Sequence, residues 1–338
     1  MRILSIVVPC FDSADYMRRA IDSALSSGTD VEVIVVDDGS TDSTGAIADE
    51  YQRLFPDSVR VIHRPNGGHG PAVHSGIASA SGRYIRVLDS DDRLDPVALR
   101  RLLDTLARLD SKGRGPGLVV SNFVYEKTGR RCHRAVRYRN VLPRGRVFRW
   151  GEIGRFRPSQ YLLMHALTYR TDVLRAAALR LPAHTSYVDN LYAFVPLPSV
   201  VSLYYLDVDL YRYVTGRPDQ SVNENVMIRR IDDQLRVTEM MRAALPALED
   251  VPPALHTYLV HYFGVISAVT ALLLIRSGTQ DDLDRHTRWW ESLERRDPEL
   301  FRRVSRSPMG RVVTLPGRLG RAVTLIVYRV LRWFVGFN

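Results

Sequence analysis

Cysteine is scarce in this chain of 338 residues, and the two copies are scattered. Cys10 and Cys132 lie far apart and have no metal-type spacing. That excludes a disulfide framework and points to a reducing compartment. The opening residues lack a charged-then-apolar leader, because Arg2 runs straight into the strand-like Ile3–Val8, so secretion is not expected. Internal repeats are absent. No glycine-rich loop carries the lysine of a phosphate-cradling P-loop or the spacing of a dinucleotide fingerprint. His63, His69 and His74 lack metal-ligand spacing; of the three, His69 is the one expected to touch a ligand. Lysine is also rare: arginine supplies almost all of the 47 Lys plus Arg that outweigh 37 Asp plus Glu, for a formal charge of +10. A basic surface suits phosphates, nucleic acid or an anionic membrane. Arginine-rich codon usage would give the same charge, so charge alone decides nothing. The arginines are spread throughout rather than gathered in one aromatic-studded module, which argues against nucleic acid as a partner.

What is present is a globular composition, 45% hydrophobic and 25% charged, in a chain long enough for one large or two ordinary domains. The first half alternates as a parallel α/β sheet demands. Strands are expected at Ile3–Val8, Val31–Val36, Val59–His63 and Tyr84–Leu88. Helices are expected at Tyr16–Ser26, Ser43–Leu54, Pro71–Ser79 and Pro96–Leu109. Near-continuous Val and Ile is what a sheet covered on both faces requires. Beyond Lys112 the pattern loosens. Leu118–Tyr125, Leu162–Tyr169, Val200–Leu203 and Val208–Tyr213 read as strands, and Lys127–Arg149 is a basic stretch with little periodicity. After Val222 the chain reads as helical, with breaks near Pro252–Pro253, Ser277–Thr279 and Pro316–Gly317.

Two acidic segments carry the chemistry. In Val36-Asp37-Asp38-Gly39-Ser40-Thr41-Asp42 a buried strand ends in paired carboxylates, a glycine turn and a hydroxyl placed to cap the next helix. Ligands of open α/β sheets bind at the carboxyl ends of strands, where Asp37 and Asp38 project. Leu88-Asp89-Ser90-Asp91-Asp92 repeats the theme; three carboxylates in four residues suit a hard divalent cation, with diphosphate oxygens completing its shell. Either segment alone would also fit a solvated turn, but two acidic strand ends in one parallel sheet argue for a site. Between them Asn66-Gly67-Gly68-His69-Gly70-Pro71-Ala72 leads into a helix whose N-terminus attracts anions.

These residues resemble the inverting family 2 glycosyltransferases of GT-A fold, a mostly parallel sheet flanked by helices. Ser5-Ile6-Val7-Val8-Pro9-Cys10-Phe11-Asp12 is similar to that family's first strand, Val36–Asp42 to its second strand end, Asn66–Gly76 to its loop and helix, and Asp89-Ser90-Asp91 to its metal motif. Order and spacing are kept over roughly residues 3–110. The resemblance implies a nucleotide-sugar donor, with Pro9 and Phe11 lining the base pocket and Asp38 accepting from the base; the histidines read as incidental, with His69 the one expected to touch the donor. It also implies Asp89 beside the ribose and Asp91 on Mn²⁺ or Mg²⁺. Family members often carry Arg-Asn where this chain has Val73-His74, so those contacts must come from elsewhere. Inverting transfer needs a general base for the acceptor hydroxyl. Ser186-Tyr187-Val188-Asp189-Asn190-Leu191-Tyr192 resembles the family's segment for it, with Asp189 as base, though the usual preceding Glu is Val188; an ordinary acid opening a helix fits too. Tyr211-Arg212-Tyr213 and Gly216–Ser221 resemble the flexible segment that closes over the donor, with Arg212 or Arg217 reaching the diphosphate. Incidental surface arginines remain an equal alternative. The acceptors implied are cell-surface polysaccharides and lipid-linked intermediates.

Tyr258–Ile275 holds no acid, Lys or Arg and is near the lower limit of a spanning helix; a buried helix in a bundle is the preferred reading. In Arg311–Asn338, Arg318, Arg321, Arg329 and Arg332 interleave with Val323, Leu325, Ile326, Trp333 and Phe334. That is the composition of a basic amphipathic helix lying in an anionic membrane surface, or of a helix packed on its own domain or a dimer partner. The expected organisation is a catalytic domain over 1–222, a helical domain over 223–310 and a basic tail over 311–338, cytoplasmic and peripheral at the inner face of the membrane. A sugar nucleotidyltransferase would show a basic glycine-rich loop after the first strand, where Pro9-Cys10-Phe11-Asp12 stands. A non-catalytic nucleotide binder would have lost acids such as Asp89, Asp91 and Asp189, which remain.

Overall fold

The computed structural model describes residues 2–28, 30–127, 133–177, 179–216 and 223–335, with side chains to residue 329. Two compact units result: residues 1–155 with 162–215, and residues 156–161 with 216–338.

The first unit is built on one sheet. Its strands are β1 (Leu4–Cys10), β2 (Val31–Asp37), β3 (Val59–His63), β4 (Tyr84–Val87), β5 (Arg93–Leu94), β6 (Leu118–Lys127), β7 (Arg134–Val136), β8 (Val147–Phe148), β9 (Leu167–Arg170) and β10 (Leu203–Thr215). The order is β3-β2-β1-β4-β9-β6-β10-β5, with β7 beside β6 and β8 beside β10. Pairs β1–β2, β2–β3, β1–β4 and β6–β10 are parallel, while β9 runs antiparallel to both β4 and β6. Helices α1 (Met17–Leu25), α2 (Thr44–Leu54), α3 (His69–Ser79) and α4 (Pro96–Asp110) connect the early strands, and short α5 (Thr171–Ala176) and α6 (Asp189–Phe194) follow β9.

The continuous apolar strands β1 and β2 are buried along their whole length, as helices on both faces require. Their register sets Cys10 beside Asp37 and Asp37 beside His63, so β1, β2 and β3 end at one level. There His63 bridges two acids, with Nδ1 2.9 Å from Asp37 and Nε2 3.0 Å from Asp49. Helix α3 lies so close to β1 that a Cβ on Gly76 would stand 2.2 Å from a methyl of Val7.

Most early elements fall where periodicity places them, within a residue or two. Three later ones differ. Leu162–Tyr169 is not one strand: a 3-10 turn at Met164–Ala166 precedes β9. Val200–Ser202 lie outside any strand, and Val208–Tyr213 falls within the longer β10 that begins at Leu203, where irregular pairing with β6 around Leu206–Tyr211 absorbs the break in alternation. The stretch Lys127–Arg149 contains β7 and β8.

The second unit is helical: α7 (Glu224–Arg229), α8 (Ile231–Ala243), α9 (Pro253–Ser277), α10 (Gln280–Arg296), α11 (Pro298–Ser305), α12 (Pro308–Val313) and α13 (Gly317–Val335). Helix α9 contains the apolar Tyr258–Ile275 run and packs against α7, α8 and α10 through α13, with 83% of its most apolar window buried. Thr270 of α9 is satisfied inside that packing: the Thr238 and Thr270 hydroxyls lie 2.8 Å apart, and Gln234 donates to Thr270. By length and composition it is the one candidate membrane span among the described residues, and it forms the core of its unit.

The Gly76–Val7 contact gives a direct test of how tightly α3 is seated. Gly76→Ala should destabilise the first unit by about 1–3 kcal/mol through overpacking, seen as a lower midpoint in urea unfolding. An unchanged midpoint would mean that α3 can shift freely on β1.

Candidate active site at the carboxyl edge of the sheet

The ends of β1, β2 and β4 are laced together before any ligand is considered. Asp38 N–H donates to the Cys10 carbonyl, and Asp12 Oδ1 accepts from the Thr41 N–H at 2.8 Å. The Ser13 and Ser90 hydroxyls lie 2.9 Å apart, tying the first turn to the acidic segment after β4. Gly39 takes φ +73°, and a Cβ there would meet the Asn66 backbone nitrogen at 2.7 Å, so only glycine fits this turn.

Asp38, expected to accept from a nucleotide base, has several internal partners. It is 2% exposed, and its carboxylate accepts from Gly67 N–H and Gly68 N–H while pairing with Arg64. It thereby fixes the glycine loop at the mouth of α3. Pro9 is buried within β1 beside Val36, and Phe11 stands half exposed at the strand's end.

From the loop, His69 turns its Nε2 to within 3.0 Å of Asp89 Oδ1. Asp89 Oδ2 lies 3.5 Å from His165 Nε2. Burial works against the Asp89 carboxylate, but the hydrogen bonds and charges of His165 and His69 outweigh it and hold its pKa far below the usual range. Burial likewise opposes protonation of His69; the hydrogen bond and charge of Asp89, with the charges of Asp189 and Asp91, prevail and raise its pKa. Asp92 is fully buried. Its two oxygens accept from the Tyr211 hydroxyl at 2.7 Å and from Val214 N–H at 2.8 Å. Burial, then the charges of Asp91 and Asp89, push its carboxyl well above the ordinary value. Tyr211 also accepts from Asp89 N–H at 3.1 Å, so one hydroxyl clamps both acids.

His165, from the 3-10 turn, is caged by Phe123, Tyr211 and Tyr213 at 4.7 to 5.8 Å between ring centres. Behind it sits Arg86 of β4, fully buried and without a carboxylate partner among the described residues. It donates to the His165 carbonyl at 2.7 Å, and its guanidinium lies 5.7 Å from the centre of the Tyr211 ring. Burial pushes its pKa down to about 10.

Asp189 opens α6, partly buried, and belongs to the same electrostatic group. Burial raises its pKa; the charges of His165 and His69 pull the other way, and Asp89 adds to the rise. The backbone around the site is strained. Asp12, His184 and Tyr187 are the non-glycine residues with positive φ among those described. Asp12 follows the end of β1, His184 N–H donates to the Gly67 carbonyl, and Tyr187 is two residues before Asp189. Such strain persists only where surrounding structure imposes it, and it concentrates at functional sites.

Asp89, Asp92 and His165 each present a ligand atom within 4.8 Å of the others. Two carboxylates with an imidazole suit a divalent cation that accepts oxygen and nitrogen donors. The crowding that raises Asp92 is a repulsion such an ion would relieve. Asp91 is half-buried and outside that trio, although its charge reaches Asp92 and His69.

Arg212 does not join the site. Successive strand residues face opposite ways, so Tyr211 and Tyr213 turn to His165 while Arg212 pairs with Asp95 at 2.8 Å and Glu126 at 3.5 Å. The segment Tyr211–Tyr213 is fixed within β10 between β5 and β6, not a closing flap. Arg217 lies outside the described residues. Sequence reasoning counted Asp92 among the carboxylates of the Leu88–Asp92 segment but passed over Arg86, His165 and the clamp at Tyr211. A lone histidine inside an apolar run was the one signal for His165.

The sheet order and its neighbours define the class. The chain aligns with S. aureus TarS 1–349 at TM-score 0.62, 18% identity, 99% of this chain and 92% of that one. It aligns with the mannosyltransferase PcManGT from Pyrobaculum calidifontis, solved with GDP-Man and Mn²⁺, at TM-score 0.52, 15% identity, 96% and 88% coverage. The first unit has the GT-A fold. Residues 5–165 match the profile of glycosyl transferase family 2, and the chain carries a domain of that family. An uncharacterised glycosyltransferase of Nostoc sp. is 34% identical over 111 residues, 32% of this chain and 34% of that protein. The chondroitin synthase of Pasteurella multocida is 32% identical over 179 residues, 52% of this chain and 16% of that protein. The matched region thus spans about a third or less of these curated relatives.

Tyr211→Phe removes the clamp while keeping the ring. It leaves the buried Asp92 carboxylate and Asp89 N–H each short of a partner, so it should cost about 1–3 kcal/mol of stability, measured by chemical denaturation. No loss would show that water replaces the hydroxyl.

Proposed function

We propose that the chain transfers a sugar from a nucleoside-diphosphate donor to a hydroxyl acceptor with inversion at the anomeric carbon. The observation that carries the reading is the convergence of His69, Asp89, Asp92, His165 and the raised-pKa Asp189 beside the glycine loop and the N-terminus of α3. The helix N-terminus favours the donor's phosphates. His69, with its raised pKa, offers a further positive charge in the same place. Phe11 offers an exposed face to the base, and Asp38 holds the loop against which the base would rest. Support for the donor class comes from TarS, solved with UDP and with UDP-GlcNAc, and from the GDP-Man complex of PcManGT.

In the reaction the acceptor oxygen attacks the anomeric carbon as the bond from that carbon to the diphosphate oxygen breaks, its electrons leaving with the nucleoside diphosphate. Asp189 takes the acceptor's proton. A divalent ion, Mn²⁺ or Mg²⁺, held by the acids of the Asp89–Asp92 segment with His165, would neutralise charge on the departing diphosphate. Tyr211 and Arg86 orient the acids and His165. Acceptors of the kind expected are a growing surface polysaccharide or a lipid-linked sugar.

Asp189→Asn tests the assignment. Turnover of a nucleotide-sugar panel should fall by a factor of about 10² or more, with donor affinity nearly unchanged, because the base acts on the acceptor. In the wild type the base must be deprotonated, so the rate should fall as pH drops through the raised Asp189 pKa, placing the acid limb above the ordinary aspartate value of 3.8. Loss of donor affinity in the variant would make Asp189 a binding residue instead.

A further inference from the structure

Helix α13 is amphipathic on two sides. One side is packed: Gly320 and Thr324 are buried, the Thr324 hydroxyl donates to the Val312 carbonyl at 2.8 Å, and Tyr328 donates to Glu224 at 3.0 Å. The other side is open. Leu319 is 84% exposed, Val323 44% and Ile326 58%, and with Leu315 they make four of the ten large hydrophobic side chains exposed among the described residues. Positions 319, 323 and 326 fall on one face at helical spacing. Arg318 and Arg329, both exposed and about three turns apart, run along its edge. From Phe301 to residue 338 the sequence contains no Asp or Glu, yet eight arginines.

We propose that this face of α13 docks the protein on an anionic lipid bilayer, the helix lying in the headgroup plane with Leu319, Val323 and Ile326 inserted. Charge selects the occupant. A self-association surface would bring two acid-free, arginine-rich segments together and oppose like charges, whereas a leaflet of acidic lipids neutralises them. The packed side of the helix stays on its own unit, so binding exposes no new surface. The inference is independent of the reaction assigned to the first unit.

The test uses the full chain with vesicles of phosphatidylcholine alone or mixed with phosphatidylglycerol at one part in three. Wild type should float with the mixed vesicles, detach progressively as NaCl rises from about 0.1 to about 0.5 M, and bind pure phosphatidylcholine at least tenfold less. Leu319→Ser with Ile326→Ser, both at exposed positions, should weaken partitioning at least tenfold at unchanged melting temperature. Arg318→Glu with Arg329→Glu should do the same and remove most of the salt dependence. Unchanged partitioning of either double variant overturns the proposal. So does equal binding to the two vesicle types, or a wild-type dimer in sedimentation velocity that the Leu319/Ile326 variant converts to monomer while vesicle binding is absent in both.

Discussion

Asp89, partly exposed, and Asp92, fully buried, stand three residues apart, close enough for two carboxylates to repel each other. The Tyr211 hydroxyl, accepting from the backbone of one and donating to the side chain of the other, is what fixes them there. Their electrostatics are then divided: two histidines hold Asp89 ionised, while burial and its acidic neighbours drive Asp92 toward the neutral form. Adjacent acids with opposite tendencies are a common arrangement where one must bind charge and the other must support it. His165 is aimed by its aromatic cage, and Arg86 holds both the His165 backbone and the Tyr211 ring from behind.

That arrangement places most of the positioning chemistry behind the acids. A buried guanidinium without a carboxylate partner is unusual, because desolvation is offset only by a carbonyl, a threonine hydroxyl and an aromatic face. It puts a fixed positive charge behind the aspartates of the site. On the opposite side, the glycine loop is rigid for a related reason: Asp38 commits its carboxylate to backbone amides, so the loop's shape exists before a ligand arrives.

The sheet and the site were unequally legible in the sequence. Strands β1, β2 and β4 announce themselves because a doubly covered strand must be mostly apolar, and the acids that close β2 and follow β4 are conspicuous for interrupting that run. His165 was hidden because the 3-10 turn around it breaks an apolar segment that reads as continuous strand. The triplet Tyr211-Arg212-Tyr213 read as the end of a strand and, by resemblance, as part of a closing segment; with β10 between β6 and β5, alternation sends the arginine to Asp95 and Glu126. The role of such residues depends on pairing partners far away in the chain, which local pattern does not encode. The tail was legible in composition, but which of its faces is covered by Val312 and Glu224 was not.

The insertion of β10 has a consequence for how the protein comes into being. Strands β1 to β4 form from neighbours in sequence, but the acids that follow β4 receive their tyrosine from residue 211, and β9 must slot between β4 and β6 before the sheet is continuous. Pairing over such separations is slow, since the entropy of closing a long loop is lost before the strands it joins can stabilise one another. During synthesis the amino-terminal half therefore emerges with Asp89 and Asp92 unclamped and the edge of β4 unpaired. Through that interval the nascent chain offers an open sheet edge to aggregation and to chaperones, and the site is assembled only when the last strand of its unit is in place.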